Sequence, residues 1–239
     1  MNKKLVLFDI DGTLISTNQN SLNVWYGIIN RIFTTLFQTP FTSIDPKRVN
    51  GKVDYQLYLT MAQSVGISEH QFAEKKRDVF DMFHREMNAA VKAQSIQFFP
   101  IHEAVDFVEL LALAHKDAIV YGVVTGNIER NGWMKLTAAG IRDRFAFGGF
   151  SDDVLDRPSL VRIAIRNAEA YTGQRFLPGD VIVIGDTHHD VLAGKSVGTH
   201  TVAVSTGFTH SHGELVAAGA DLVVSSLMDP RVLSFVLSR

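Results

Sequence analysis

The chain has 239 residues, 46% of them hydrophobic, which is enough to bury a sizeable core and excludes a disordered chain. A formal charge of −2 excludes the basic face of a general nucleic-acid binder but leaves room for a small positive pocket. With no cysteine there is neither a disulfide nor a thiolate metal site, a composition that fits a reducing compartment.

In chain order, residues 5–8 form an apolar run that ends in Asp9-Ile10-Asp11-Gly12-Thr13-Leu14. Lys3 and Lys4 ahead of it could open a signal peptide, but Asp9 and Asp11 cut the run short of the ~7–15 apolar residues such a segment needs. It reads as a buried strand with two carboxylates at its carboxyl end, where open α/β sheets hold their ligands. No stretch reaches the ~18 apolar residues of a membrane helix. The expectation is a soluble, cytoplasmic protein that engages neither membrane nor nucleic acid.

Between Thr13 and Gln97 no run reads as a strand. Leu22, Trp25, Ile29, Ile32 and Leu36 repeat at threes and fours. Tyr55, Tyr58, Ala62 and Val65 do the same, with Asp54 as the expected N-cap. Phe72, Val79, Phe83 and Met87 predict a third, longer helix. The segments 12–20 and 93–101 would connect this all-helical module to the rest. Phe98-Phe99-Pro100 marks the return, with Pro100 in the first turn of the next helix. Trp25 and the module's phenylalanines read as core, a few of them lining a pocket.

Beyond the module, β-branched runs at 118–124, 181–184, 201–204 and 222–224, with a weaker one at 144–147, alternate with helical stretches. Those stretches are 102–115, 128–139, 158–173, 188–197, 212–219 and 226–237. This alternation predicts an α/β, doubly wound parallel Rossmann-like sheet, covered on both faces. The core would be 1–15 and 97–239, and the inserted helical unit 16–96.

Three further segments share the chemistry of the first. Val123-Val124-Thr125-Gly126-Asn127 puts a hydroxyl at a strand end. Arg157-Pro158 opens a helix after Asp152 and Asp153. Val183-Ile184-Gly185-Asp186-Thr187-His188-His189-Asp190 reads G-D-x-x-x-D. Singly these are a turn, a capped helix start, a chance dipeptide and an ordinary strand-to-helix loop. Their joint order makes chance an unlikely source. Asp9, Asp11, Asp186 and Asp190 together demand a cation. Two like charges ~4 Å apart repel by about 4 kcal/mol at an effective dielectric of 20, and an all-oxygen set favours a hard ion such as Mg2+.

In these four motifs, and in a helical insert after the first strand, the chain resembles the haloacid dehalogenase superfamily, on its phosphoglycolate-phosphatase-like branch. The resemblance implies a magnesium-dependent phosphomonoester hydrolase with a helical cap, acting on a small phosphorylated metabolite. It implies that Asp9 is the nucleophile and forms an aspartyl-phosphate. Asp11 would protonate the leaving alcohol and then activate water. The metal contacts would be Asp9, the backbone carbonyl of Asp11, and Asp186, with Asp190 behind them or binding weakly. Thr125, Gly126, Asn127 and Arg157 would hold the phosphoryl oxygens, and Gly12, Thr13 and Gly185 would shape the loops. Most members carry lysine where this chain has Arg157, which keeps the charge and adds a fork of donors; Arg162 and Lys135 are the fallbacks. In the cap, Gly51-Lys52-Val53-Asp54 resembles a G-x-T-D segment, with valine in place of threonine, and Lys52 is the candidate substrate contact.

His188 and His189 do not read as metal ligands; His189 reads as a helix-start polar contact near the site, and His210 and His212 as surface-loop residues. A sugar phosphomutase shares both aspartates and is the nearest alternative. A haloacid dehalogenase would lack Asp11, and a phosphonate hydrolase would need Lys52 as a Schiff base. From a different class, a phosphorylation-dependent receiver is too short and pairs its acids differently. A non-catalytic phosphate-binding or regulatory protein would have lost a catalytic position, and none is lost here. Substrate identity and oligomeric state are not written in the sequence.

Overall fold

The structure, a computed structural model, describes residues 3–152, 154–207 and 210–239. Met1, Asn2 and Asp153 of the sequence reading lie outside the described residues. In chain order the elements are β1 (Lys4–Phe8), β2 (Ile15–Thr17), α1 (Gln19–Phe37), α2 (Asp54–Ser64), α3 (Glu69–Glu74), α4 (Lys76–Lys92) and β3 (Phe98–Pro100). There follow α5 (His102–Ala114), β4 (Ile119–Val124), α6 (Glu129–Ala138), β5 (Gly148–Gly149) and α7 (Arg157–Thr172). The chain closes with β6 (Val181–Gly185), α8 (His188–Val197), β7 (His200–Val204), α9 (His212–Ala217), β8 (Leu222–Val224) and α10 (Pro230–Ser238).

Six strands form one parallel sheet in the order β5-β4-β1-β6-β7-β8. The chain leaves β1 toward β4 and β5, then returns to add β6 on the other side of β1. The switch point therefore lies at the carboxyl end of β1, the crevice where such sheets bind ligands. Successive β1 side chains point to opposite faces. Val6 and Phe8 pack with Phe107 and Leu111 of α5 and Val232 and Val236 of α10. Leu5 and Leu7 pack with Leu160, Val161, Ala164 and Ala168 of α7. Both faces are buried, which is why β1 and β6 read as continuous apolar runs.

A separate cluster holds the helices between β2 and β3. Ile28, Ile29, Ile32 and Phe33 of α1 meet Tyr58 and Met61 of α2, Phe72 of α3, and Val79, Phe83 and Met87 of α4. Ile128, from the sheet side, also packs into this cluster.

The structure corrects several expectations. The expected long third helix is two, α3 and α4, broken at Lys75. α3 opens on a Ser68–Gln71 capping box, and Lys75 closes it with N–H bonds back to Phe72 and Ala73. Asp54 is not an N-cap: Val53 takes that place, and Asp54 is the first helical residue. The connections at 12–20 and 93–101 are not strand-free, because β2 and β3 pair antiparallel as a two-stranded ribbon, with Ile15 opposite Pro100. Pro100 is thus a strand residue, and α5 starts two residues later. The weak run 144–147 is not a strand. Arg142–Arg144 is a 3-10 turn, and the edge strand is Gly148–Gly149. α10 begins at Pro230 rather than 226, set by Asp229, whose side chain accepts the Arg231 N–H.

Candidate active site

Four loops at the carboxyl ends of the central strands build the site. Asp9 follows β1, and its N–H donates to the Ile184 carbonyl of β6 at 2.8 Å. Asp9 is 3% exposed. Two residues on, the chain turns at Gly12 (φ 83°), and Asp11 makes an isolated bridge to Ile15. A side chain at Gly12 would run into the Asp186 carboxylate, so this turn requires glycine for both its backbone and its neighbour. The Thr13 hydroxyl donates to Asp186 Oδ1 at 3.4 Å.

Asp186 follows β6, which ends at Gly185, and Asp190 lies in the first turn of α8. Asp190 Oδ2 accepts from the Thr187 N–H at 3.1 Å and from its hydroxyl at 2.6 Å, closing a capping box. Asp190 Oδ1 accepts from Arg157, the first residue of α7. The same guanidinium lies 3.8 Å from Asp9 Oδ1. One carboxylate oxygen from each of Asp9, Asp186 and Asp190 lies within 4.8 Å of the other two, and all three residues are buried.

Electrostatics follow from this crowding. Burial, then the Asp190 charge, pushes the Asp9 carboxyl up to about 8. Asp186 is held well above the carboxylate range by burial and by Asp9. Arg157 is pulled down by burial, but the surrounding aspartates, Asp190 foremost, more than offset this and raise it. Two buried atoms have no hydrogen-bond partner in this cluster: Asp9 Oδ1 and Arg157 Nε. A buried acceptor and a buried donor left without hydrogen bonds in one cluster fit a site for a cation and an anion together.

Thr125, after β4, is buried, and its Oγ1 accepts from the Asn127 N–H at 3.3 Å and the Asn127 Nδ2 at 2.7 Å. That leaves its own proton free to donate to a ligand. Asn127 Nδ2 also donates to Asp11 Oδ2 at 2.8 Å. The Asp11 carboxylate turns away from the triad to Lys135 of α6, whose ammonium lies 2.9 and 2.7 Å from its two oxygens and 2.8 Å from Asn127 Oδ1.

Asp9, Thr125, Asn127, Arg157, Asp186 and Asp190 are thus brought to one crevice, with Asp11 at its rim. Arg157 serves Asp190 more closely than Asp9. Arg162 is exposed on α7. Lys52 does not turn its ammonium to the triad: Nζ donates to Thr60 of α2 at 3.0 Å. Asp152 serves α6 rather than α7, accepting the Glu129 N–H at 2.7 Å. His189 is pulled down to about 4 by burial and the neighbouring His188. His210 is not a free loop residue, for its Nε2 meets His188 Nδ1 at 2.6 Å, while His212 opens α9. Among the described residues, the one group of three metal-type side chains is the aspartate triad.

Lys135, a fallback phosphate contact in the sequence, pairs with Asp11, a contact between residues 124 apart that no spacing predicts. Gly207, after β7, has no motif around it, yet a side chain there would overlap the Asp186 carboxylate.

A parallel α/β sheet with an acidic, oxygen-lined crevice at its switch point defines the class. A family model described as haloacid dehalogenase-like hydrolase matches residues 6–204, and the chain belongs to that family and is a hydrolase. It is 27% identical to N-acetylmuramic acid 6-phosphate phosphatase of Pseudomonas aeruginosa, over 100% of this chain and 96% of the relative. It is 25% identical to pyrophosphatase PpaX of Anoxybacillus flavithermus, over 86% of this chain and 85% of the relative. The fold also matches the crystal structure of CbbY from Rhodobacter sphaeroides in complex with phosphate. There the TM-score is 0.71 and the identity 18%, over 95% of this chain and 96% of that one.

Proposed function

We propose that the protein is a magnesium-dependent phosphomonoester hydrolase that acts on a small phosphorylated metabolite through an aspartyl-phosphate. The observation that carries this reading is the buried pair of unpartnered atoms, Asp9 Oδ1 and Arg157 Nε, inside a triad of carboxylates. Family membership and the names of the two relatives support it.

The residues fit a hard cation. Asp9 and Asp186 are held above the usual carboxylate range by burial and neighbouring carboxylates, which Arg157 offsets only in part and a divalent ion would offset further. Asp9 and Asp186, with the Asp11 carbonyl, would hold Mg2+, and Asp190, engaged by Arg157 and Thr187, would stand behind them. When bound, the ion neutralises charge on the phosphoryl oxygens and the nucleophile.

Asp9 attacks phosphorus: an Oδ–P bond forms as the bond from phosphorus to the leaving oxygen breaks. Asp11 donates a proton to that oxygen, then takes one from the water that hydrolyses the acyl phosphate, so its proton is returned each cycle. Thr125 donates its free hydroxyl proton to a phosphoryl oxygen, with help from the Gly126 N–H, and Arg157 donates to another. Positioning and charge neutralisation supply the catalysis.

Residues 16–96 would be the cap over a core of 1–15 and 97–239, with the β2–β3 ribbon as its stalk. Among the described residues no helix is long and apolar enough to cross a membrane. The two relatives are named for a sugar phosphate and for pyrophosphate, so a substrate screen spans both bond types.

The test is p-nitrophenyl phosphate hydrolysis with and without magnesium, for the wild type and Asp9→Asn. Magnesium-dependent turnover that the substitution abolishes is the expected result. Metal-dependent turnover that survives it would remove Asp9 as nucleophile, and silence of the wild type toward aryl phosphates, sugar phosphates and pyrophosphate would favour a mutase or a binding role.

A further inference from the structure

The turn Gly51–Asp54 enters the seam between two of the site loops. On one side Gly51 (φ 76°) lies so close to Thr187 and His189 that any side chain there would strike both. On the other, Gly126 lies so close to the Lys52 carbonyl that a methyl group at 126 would overlap it. Two hydrogen bonds fasten this contact. The Asp54 N–H donates to the Gly126 carbonyl at 2.8 Å. The Ile128 N–H donates to Asp54 Oδ2 at 2.9 Å. Asp54 is only 6% exposed, and Ile128 packs into the cluster of α1, α2 and α4.

Other contacts cross the same seam: His84 Nδ1 lies 2.7 Å from Asn131 Oδ1 in a half-buried contact, and others are surface pairs. Lys47 meets Glu214 at 3.1 Å and Arg130 meets Asp81 at 2.7 Å, with side chains at least 40% exposed. Exposed pairs of this kind add little. The Asp54 contact differs in two respects. It is buried, and it grips the backbone on both sides of Asn127, in the loop that presents Thr125 and Asn127. The two hydrogen bonds of Asp54 go to the 126–128 backbone and not to the triad or Asp11.

We propose that Asp54 is a positioning residue: its two hydrogen bonds clamp residues 126–128 and hold Thr125 and Asn127 in the geometry that receives the phosphoryl group. The hydroxyl that binds phosphate is then in register only while the Gly51–Asp54 turn is seated. This role rests on the phosphatase reading for its ligand, but the clamp itself does not.

The experiment uses the full chain as wild type, Asp54→Ala and Asp54→Asn. Three quantities are read: hydrogen exchange at the Ile128 amide without ligand, affinity for inorganic phosphate with magnesium chloride, and kcat and KM for p-nitrophenyl phosphate. Losing one buried hydrogen bond shifts an equilibrium roughly tenfold. Asp54→Ala should exchange the Ile128 amide about tenfold faster, bind phosphate about tenfold more weakly and lose kcat more than it raises KM. Asn retains an acceptor oxygen and should recover all three. The proposal is overturned if Ile128 stays protected in Asp54→Ala, or if that variant loses protection yet binds phosphate as the wild type does. It is also overturned if Asn behaves as Ala while folding normally by circular dichroism. The exchange measurement decides the clamp even in a protein that turns over nothing, so failure of the clamp and failure of the phosphatase reading are told apart.

Discussion

Arg157 and Asp190 form the innermost ion pair of the site, with side chains 11% and 3% exposed, and Asp190 uses its other oxygen to cap the helix that carries it. One cation therefore stands among three buried carboxylates. Removing it leaves Asp9, Asp186 and Asp190 with only a bound metal to offset them. Breaking a buried pair by deleting one partner costs about 3–5 kcal/mol, and deleting a positioned donor to a developing charge costs ~100–1,000-fold in rate. Arg157→Ala should show both effects. Thermal unfolding with and without magnesium, read beside kcat, checks this: the stability loss should shrink when magnesium is present. Arg157→Lys keeps the charge without the fork and should fall between the two.

Gly207 makes a second prediction, since its Cα hydrogen faces the Asp186 carboxylate and a methyl group there would overlap it. Gly207→Ala should push Asp186 out of place. Displacing a group that orients a metal ligand typically costs ~10–100-fold in metal affinity. The magnesium concentration at half-maximal activity should rise by that factor, while stability drops by only about 1–3 kcal/mol, the usual cost of overpacking. An unchanged magnesium requirement would mean that Asp186 does not bind the ion.

What the sequence showed and hid follows from how local each signal is. β1, β4, β6 and β7 are legible because strands covered on both faces must be almost continuously apolar, and the ends of β1, β4 and β6 fix where Asp9, Thr125 and Asp186 stand. β5 is two glycines with no side chain to announce them; it is recognised only by pairing with Val123 and Val124. The β2–β3 ribbon joins Ile15 to Pro100, and neither three-residue segment has a pattern of its own. Three of the four motifs carry the acids and the hydroxyl of the site, because each places its group within a few residues of a strand end, while the fourth, Arg157, opens α7. The partners that hold those groups in place, Lys135 for Asp11 and Gly207 for Asp186, come from distant segments and left no trace in spacing. Asp54 was seen for its helix position, yet its carboxylate serves the backbone of another loop.

Asp54 also predicts a pH effect on stability. Burial foremost, against the opposing pull of Lys135 and the Ile128 N–H, raises its carboxyl from 3.8 to about 6. The folded protein thus holds this proton more tightly than the unfolded chain does. The stability it brings is present below about pH 4 and is lost as pH rises through about 6. A shift of this size corresponds to at most about 3 kcal/mol. Asp54→Asn, which never ionises, should match the wild type near pH 4 and exceed its stability by up to that amount at pH 8. Urea midpoints at the two pH values check it, and a difference that does not change with pH would assign the shift to another group.

The last prediction concerns Lys135, which contacts both Asp11 oxygens and, through Asn127, is linked to Thr125. If Asp11 is the general acid, its work depends on how badly the leaving group needs a proton. p-Nitrophenolate leaves without help, whereas an alkoxide does not. General acid catalysis contributes ~100–10,000-fold where it is required. Asp11→Asn should therefore cut hydrolysis of an alkyl phosphate far more than that of p-nitrophenyl phosphate in the step that forms the acyl phosphate. Lys135→Met keeps the acid but removes its bidentate partner, leaving Asn127 as its one remaining anchor. It should reproduce the same leaving-group dependence at smaller amplitude, on the order of tenfold for one lost charged hydrogen bond. Single-turnover rates on the two substrates measure it. An equal loss on both would instead place Lys135 on the phosphoryl group, the role of a second cation beside Arg157, and would mean that its contacts with Asp11 do not orient the acid.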